Sequence, residues 1–349
     1  MWTVNRVQAA PVVVSKRHLE AVEPQAVVVN SGSANAATGA QGIADAEATA
    51  AEAASLLGLA PEQVLVLSTG VIGVPVDVER ICAGLPGAAS ALAADGGDVA
   101  AAAILTTDSG PKQAVVSRDG FTVGGMAKGA GMIHPVLATM LAVVTTDFPL
   151  EPDEAIDFLR PAVDASFNRI SVDGECSTND AVVLLANGEA GVARTSRLDD
   201  EFAAALQDVC ADLARQIVED GEGATVLLEV NVHRASSEEE ALAVASRIAT
   251  SPLVKTAAFG RDPNWGRVLA AAGSARWNGG FARLDADKLA VAFNGTVVFG
   301  GGTPTGVVPD LAGPVCRIEL DLGLGTGEAS YLASDLSYDY VRINAEYTT

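Results

Sequence analysis

Basic residues are scarce in this chain, and the scarcity narrows its function first. Lysine and arginine number 22 against 44 aspartates and glutamates, a formal net charge of −22 at pH 7 over 349 residues. That sign argues against nucleic acid or an anionic membrane surface as the main partner. It names no substrate, because an acidic solvated surface is the commoner reason for such a charge. Cysteine and histidine are scarce too. Cys82, Cys176, Cys210 and Cys316 lie far apart without a Cys-x-x-Cys pair, and the three histidines are scattered. Neither a zinc site nor a disulfide framework is supported, and a reducing compartment, the cytoplasm, is the natural reading. The start, Met1-Trp2-Thr3-Val4-Asn5-Arg6, lacks the basic region and apolar core of a signal peptide. The longest apolar run of interest, Val136 to Val144, is too short for a membrane span and suits a core strand.

What is present is a globular composition, 49% hydrophobic and 19% charged, long enough for one large domain or two lobes. Strand and helix patterns alternate. Ala26 to Val29 predicts a buried strand entering the small, polar connection Asn30 to Gly39, and Ile43 to Leu59 an alanine-rich helix. Val64-Leu65-Val66-Leu67 predicts a buried strand that stops at Ser68-Thr69-Gly70, the way α/β proteins present a binding edge. Helices are expected over Val78 to Leu92, Asp98 to Leu105, Glu151 to Phe167 (kinked or divided at Pro161) and Leu198 to Glu219. Arg118-Asp119-Gly120 signals a hairpin between Ala114–Val116 and Phe121–Val123. A strand follows over Val226 to Val232, and Ser237 to Glu240 has capping-box spacing. Asn294-Gly295 predicts a hairpin, as does Gly323-Leu324-Gly325-Thr326-Gly327, whose spacing is wrong for a dinucleotide loop. The lobes are expected over residues 1–235 and 236–349.

The stretch from Gly124 to Asp147 reads as a glycine-rich loop carrying the single cation Lys128, followed by an apolar run interrupted by Thr139. Glycines around Lys128 let backbone approach a ligand closely. Thr139 by itself reads first as a strand threonine whose hydroxyl bonds a neighbouring carbonyl. Asp173 to Asp180 is a polar loop in which Cys176 has no basic neighbour to activate it.

Lys128-Gly129-Ala130-Gly131-Met132-Ile133-His134-Pro135, continuing to Ala138-Thr139-Met140-Leu141 and Thr145-Thr146-Asp147, resembles the self-cleavage signature of the ornithine acetyltransferase family. The likeness runs from Thr3 to Thr349 through several motifs in the same order: Ser68-Thr69-Gly70, Thr106-Thr107-Asp108, Asp173 to Asp180, Asp220 to Thr225, Ser251 to Thr256, Asp262 to Arg267 and Asp339 to Thr349. It implies an ornithine acetyltransferase fold, a layered α/β sandwich resembling the N-terminal-nucleophile hydrolases. It implies a cut between Ala138 and Thr139, giving an α chain of residues 1–138 and a β chain of residues 139–349, assembled as an α2β2 heterotetramer. Thr139 would then be the nucleophile, its new α-amine the base, and Thr69 and Gly70 the oxyanion hole. Thr106, Lys128, Glu222, Asn344 and Thr349 occupy substrate-contact positions of that family, and no bound cofactor or metal is implied.

The implied reaction moves an acetyl group from N2-acetylornithine to glutamate in arginine biosynthesis, with acetyl-CoA as a second donor in bifunctional members. The residue types suit it: a threonine hydroxyl needs a base, and an α-amine of pKa about 7.7–8.0 is one. Lys128 suits an α-carboxylate and Glu222 the ornithine ammonium. Two other classes compete, a self-processing N-terminal-nucleophile aminopeptidase or amidase and a non-catalytic small-molecule binding protein. Two departures stand out. Val226 sits where family members commonly have lysine, and Thr3 to Pro11 resembles a segment several tens of residues into family chains. The chain thus reads as short at its N-terminus, where a leader could have been lost.

Overall fold

The computed structural model describes residues 1–134 and 140–346. These form two compact units, one of residues 1–168 and 175–217 and the other of residues 169–174 and 218–346.

The first unit begins with helix α1 (Ala10–Ala21), strand β1 (Ala26–Ser33), helix α2 (Gly39–Leu57) and strand β2 (Val64–Val71). β1 and β2 pair in parallel. Side chains alternate along β2, as the two-residue period of a strand requires. Val64 and Val66 meet Ala50, Ala53 and Ala54 of α2, whereas Leu65 and Leu67 turn to the opposite face. α1 is pinned to the same strand, since Ser15 Oγ donates to the Val66 carbonyl and accepts its N–H, both at 2.8 Å.

Helices α3 (Val78–Ser90) and α4 (Gly97–Ala103) lead to strands β3 (Lys112–Arg118), β4 (Phe121–Lys128) and β5 (Leu141–Thr146). After helix α5 (Ala155–Asp164) comes β6 (Ala181–Ala186), then helix α6 (Ser196–Glu219). The sheet runs β3-β4-β5-β6, antiparallel except for the parallel β5/β6 pair. Leu141 and Val143 pack on Leu65 and Leu67. The other face receives α6, where Phe202 stacks on Phe148 with ring centroids 4.4 Å apart. Within this unit the layers are therefore helix, sheet, sheet, helix.

Gly124 to Lys128 is part of β4 and not a loop. The physical reason is the approach of α6: a Cβ on Gly125 would lie 3.1 Å from Leu213 Cδ1 and 3.2 Å from Val209 Cγ1. Here glycine serves helix-on-sheet packing, and the loop begins only at Gly129.

The second unit contains β7 (Leu227–Ala235), helices α7 (Glu238–Ala249), α8 (Pro252–Phe259) and α9 (Trp265–Ala272), then β8 (Ala290–Phe293), β9 (Thr296–Gly300), β10 (Val315–Asp321), β11 (Gly327–Ser334) and α10 (Tyr338–Glu346). Among the described residues its main sheet has seven strands, with Thr303–Pro304 and Ile170–Ser171 at the edges around β9-β8-β10-β7-β11. Asn294 and Gly295 adopt φ of 47° and 78°, the left-handed pair that a two-residue hairpin needs. Ser237 Oγ accepts the Glu240 N–H at 3.2 Å, but the Glu240 carboxylate turns away to the Arg283 N–H, so only half of the capping box forms.

One expectation is corrected here. β10 and β11 are not a hairpin, because β7 lies between them, parallel to one and antiparallel to the other. The segment joining them crosses the end of β7, with Leu324 and Gly325 N–H groups both bonded to the Arg234 carbonyl. Residue 235, the expected lobe boundary, is the last residue of β7 inside the second unit. The closing segment is helical, but α10 has no buried residue, and Val341 is 60% exposed. No helix among the described residues is long and apolar enough to cross a membrane.

Candidate active site

Strand register gathers the first group of residues. Lys128 stands opposite Leu141, and Leu141 opposite Ala181. Lys128, Met140 and Asp180 therefore share one end of the β3–β6 sheet. At that end the Met140 N–H donates to Asp180 Oδ1 at 2.9 Å, and the Ala181 N–H donates to the Met140 carbonyl at 3.1 Å. The neighbouring Asn179 reaches the other sheet: its Nδ2 donates to the Ser68 carbonyl at 2.8 Å and the Ala34 carbonyl at 2.6 Å. Thr69 and Gly70 follow Ser68 directly, so one dipeptide ties their strand to Met140.

Thr69 is buried, and Gly70 is a position that only glycine fills. Its φ is +130°, and a Cβ there would sit 2.3 Å from the Gly32 carbonyl carbon. The close approach of β1 keeps this strand end narrow and backbone-lined.

Lys128 does not stand alone as a cation. It is 3% exposed; its Nζ donates to Thr106 Oγ1 at 2.7 Å and lies 3.5 Å from Asp108 Oδ2. Lys112 Nζ donates to Asp108 Oδ1 at 2.8 Å, and the Gly129 N–H reaches the same oxygen at 2.6 Å. Burial by itself would raise the Asp108 carboxyl, but the Lys128 and Lys112 ammoniums and the Gly129 N–H outweigh it and hold it at about 2. Asp108 thus stays ionised between two lysines, fixing Lys128 and Thr106 at the mouth of the loop that starts at Gly129.

In the second unit, Asn344 Nδ2 of α10 donates to Glu222 Oε2 at 2.8 Å. Ser337 Oγ donates to the Gly223 carbonyl at 2.6 Å, docking the loop of Glu222 against the start of α10. Among the described residues no lysine or arginine pairs with Glu222.

A model described as "ArgJ family" matches residues 1–349. The chain belongs to the ArgJ family. An arginine biosynthesis bifunctional protein ArgJ from Streptomyces coelicolor is 45% identical over 351 residues, covering 100% of this chain and 90% of that protein. One of the same name from Symbiobacterium thermophilum is 46% identical over 361 residues, covering 100% and 89%. Among solved structures, the arginine biosynthesis bifunctional protein ArgJ from Bacillus halodurans is similar with a TM-score of 0.54 and 39% identity, covering 58% of this chain and 97% of that one. The fold is the expected ornithine acetyltransferase fold, a layered α/β sandwich.

Of the expected ArgJ-family site residues, Thr69, Gly70, Thr106 and Lys128 lie in the first unit, the last two in hydrogen-bond contact. Glu222 and Asn344 meet in the second unit. Ala138, Thr139 and Thr349 lie outside the described residues. Val226, where the family commonly has lysine, is buried in the apolar core of its unit, and its carbonyl accepts the Asp335 N–H at 3.0 Å. Cys176 carries a thiol pushed up by burial, which suits an inert residue. Asp108, Asn179 and Asp180 were not anticipated as site residues. Two signals for them stood in the sequence, the segment Thr106-Thr107-Asp108 and the polar loop ending Asn179-Asp180.

Proposed function

We infer that the protein is an acetyltransferase of arginine biosynthesis that moves an acetyl group from N2-acetylornithine to glutamate by way of an acetyl ester on Thr139. The full-length ArgJ-family match, at about 45% identity to proteins named for bifunctional arginine biosynthesis, carries this reading. Bifunctionality adds acetyl-CoA as a second acetyl donor, making N-acetylglutamate directly. Nothing favours the aminopeptidase alternative.

The chemistry follows from the residue types. The chain first cuts itself after Ala138, leaving pieces of 138 and 211 residues. Thr139 Oγ attacks the acetyl carbonyl while the α-amine of the same residue takes the hydroxyl proton. Thr69 Oγ and the Gly70 N–H stabilise the tetrahedral oxyanion, each such donor being worth about 3–4 kcal/mol in a transition state. Ornithine departs with the proton held by the amine. The glutamate amino group then attacks the ester, and Thr139 Oγ recovers its proton. Lys128 with Thr106 suits the substrate α-carboxylate, and Glu222 with Asn344 the ornithine side-chain ammonium. Thr349 is assigned to the same substrate set. We place the enzyme in the cytoplasm as an α2β2 assembly of the two pieces.

Intact-mass measurement after incubation with N2-acetylornithine alone tests this. The expected outcome is one acetyl mass on the 211-residue piece, discharged by glutamate to give N-acetylglutamate. Discharge to water alone would identify an amidase, and an uncut, unmodified wild-type chain that still transfers acetyl groups would overturn the mechanism.

A further inference from the structure

Met140 lies one residue before the β5 ladder begins, where a strand's N–H ordinarily finds water or a turn carbonyl. Here it finds a carboxyl group that is 0% exposed. Burying such a group is costly, and a neutral amide would accept the same hydrogen bond with less penalty. The Ser177 and Thr3 hydroxyls also face this carboxyl, although Oδ2 makes no hydrogen bond of normal geometry among the described residues. The residue covalently joined to the Met140 nitrogen is Thr139.

We propose that Asp180 is the positioning residue for Thr139, holding the peptide on its C-terminal side so that hydroxyl and nitrogen are presented first for self-cleavage and then for acetyl transfer. The proposal rests on the reading of Thr139 as nucleophile. The peptide between Thr139 and Met140 is a rigid plane. Its nitrogen is fixed by Asp180 Oδ1, and the next carbonyl by the Ala181 N–H. Met140 itself is 1% exposed, which anchors the plane from the side-chain direction as well. Thr139 Cα is two bonds from the held nitrogen. Meanwhile Asn179, the neighbour of Asp180, holds the carbonyl of Ser68 just before Thr69 and Gly70. Nucleophile and oxyanion donors are thereby referred to the same two residues. Positioning of this kind is where small displacements have large effects on rate.

Complete burial raises the Asp180 carboxyl well above the ordinary carboxylate range, against the Met140 N–H, the Lys128 charge and the Ser177 and Thr3 hydroxyls, which favour the anion. The neutral acid still accepts through Oδ1, and asparagine has its shape. In self-cleavage, Thr139 Oγ adds to the Ala138 carbonyl carbon and the carbon–nitrogen bond breaks. The freed nitrogen gains the proton the hydroxyl loses. Water then hydrolyses the ester, leaving an Ala138 carboxylate, a free Thr139 hydroxyl and its α-amine.

The test uses full-length chains carrying Asp180→Asn or Asp180→Ala. Cleavage is followed by intact mass, and acetyl transfer is measured on the cut fraction. The expected result is cleavage by the Asn variant within about threefold of wild type, and by the Ala variant at least about tenfold slower. In the cut Ala variant, kcat should fall by about tenfold while KM for N2-acetylornithine stays within about twofold, because Asp180 does not touch substrate. Wild-type cleavage and kcat in the Ala variant would overturn the proposal, as would an Asn variant that folds yet is as slow as Ala. Should the Ala variant fail to fold, uncut Thr139→Ala protein labelled with 15N-methionine gives a second readout, since the chain has four methionines. The Met140 amide should then be strongly protected from exchange, and a freely exchanging one would refute the contact. A wild-type chain that neither cuts nor takes an acetyl group strikes at the reading of Thr139. Equal cleavage by wild type and Ala variant strikes at Asp180 only.

Discussion

Lys128 donates from its ammonium to the Thr106 hydroxyl at 2.7 Å. The hydroxyl that accepts this bond keeps its own proton for another acceptor, and in the proposed function that acceptor is the substrate α-carboxylate. Thr106→Val removes one donor and leaves the Lys128–Asp108 pair in place. KM for both N2-acetylornithine and glutamate should rise by about five- to tenfold, the worth of one neutral hydrogen bond of roughly 1 kcal/mol, with Tm unchanged. Steady-state kinetics check it, and an unchanged KM for both substrates would remove Thr106 from the site.

Asp108 gives the cluster a pH signature. With the folded carboxyl at about 2 and an unfolded aspartate near about 3.9, the folded state holds this proton less tightly. The stabilisation is complete above about pH 4 and is lost as pH falls through about 2. It amounts to about 2.5 kcal/mol. Urea unfolding at pH 6 and at pH 2 should therefore show a larger loss for wild type than for Asp108→Asn. Equal losses would mean that Asp108 is not held ionised by its lysines.

A double-mutant cycle tests the same pair differently. Lys128→Met strands Asp108 with one lysine and should destabilise by about 3–5 kcal/mol, as breaking buried ion pairs does. Adding Asp108→Asn should recover part of that loss, with a coupling of about 0.5–3 kcal/mol. Strict additivity in unfolding free energies would show that the two charges do not interact.

Much of this architecture is legible in the chain, because local rules decide it. The apolar run Val64-Leu65-Val66-Leu67 is a strand, Asn294-Gly295 is a hairpin tip, and Ser237 starts a helix. The misreadings come from partners distant in sequence. Gly124 and Gly125 carry a loop's composition, yet they are strand residues, and α6, more than seventy positions later, packs on Gly125. Gly323 to Gly327 looks like a hairpin because nothing local announces that β7 slips between its flanking strands. The polar loop marks Asp180 as a candidate, but not what it holds, since its partner Met140 is 40 residues away.

Thr69 and Gly70 make separable predictions. Thr69→Val keeps the buried shape and removes the hydroxyl, so Tm should hold while kcat/KM falls by about 10²–10³. Gly70→Ala pushes a methyl into the Gly32 backbone at a φ of +130°, and should cost stability as well as activity, by about 1–3 kcal/mol of strain. Thermal melts with acetyl-transfer rates separate the two. A Thr69→Val enzyme of wild-type activity would remove its hydroxyl from the oxyanion hole.

Glu222 is half-buried and held by a neutral donor, Asn344 Nδ2 at 2.8 Å, without a lysine or arginine partner among the described residues. A carboxylate oriented by an amide keeps its charge for a cation brought by the ligand. Of the two amino-acid substrates only acetylornithine carries a side-chain ammonium; glutamate carries a carboxylate there. Glu222→Gln should therefore raise KM for N2-acetylornithine by about tenfold, a charge-assisted bond being worth about 1.5–3 kcal/mol, and leave KM for glutamate within about twofold. Asn344→Ala frees Glu222 without discharging it, so the same selectivity should appear at smaller size. Competition kinetics with both substrates decide the matter. Equal rises for the two in Glu222→Gln would mean that Glu222 shapes the site as a whole and does not read the ornithine side chain.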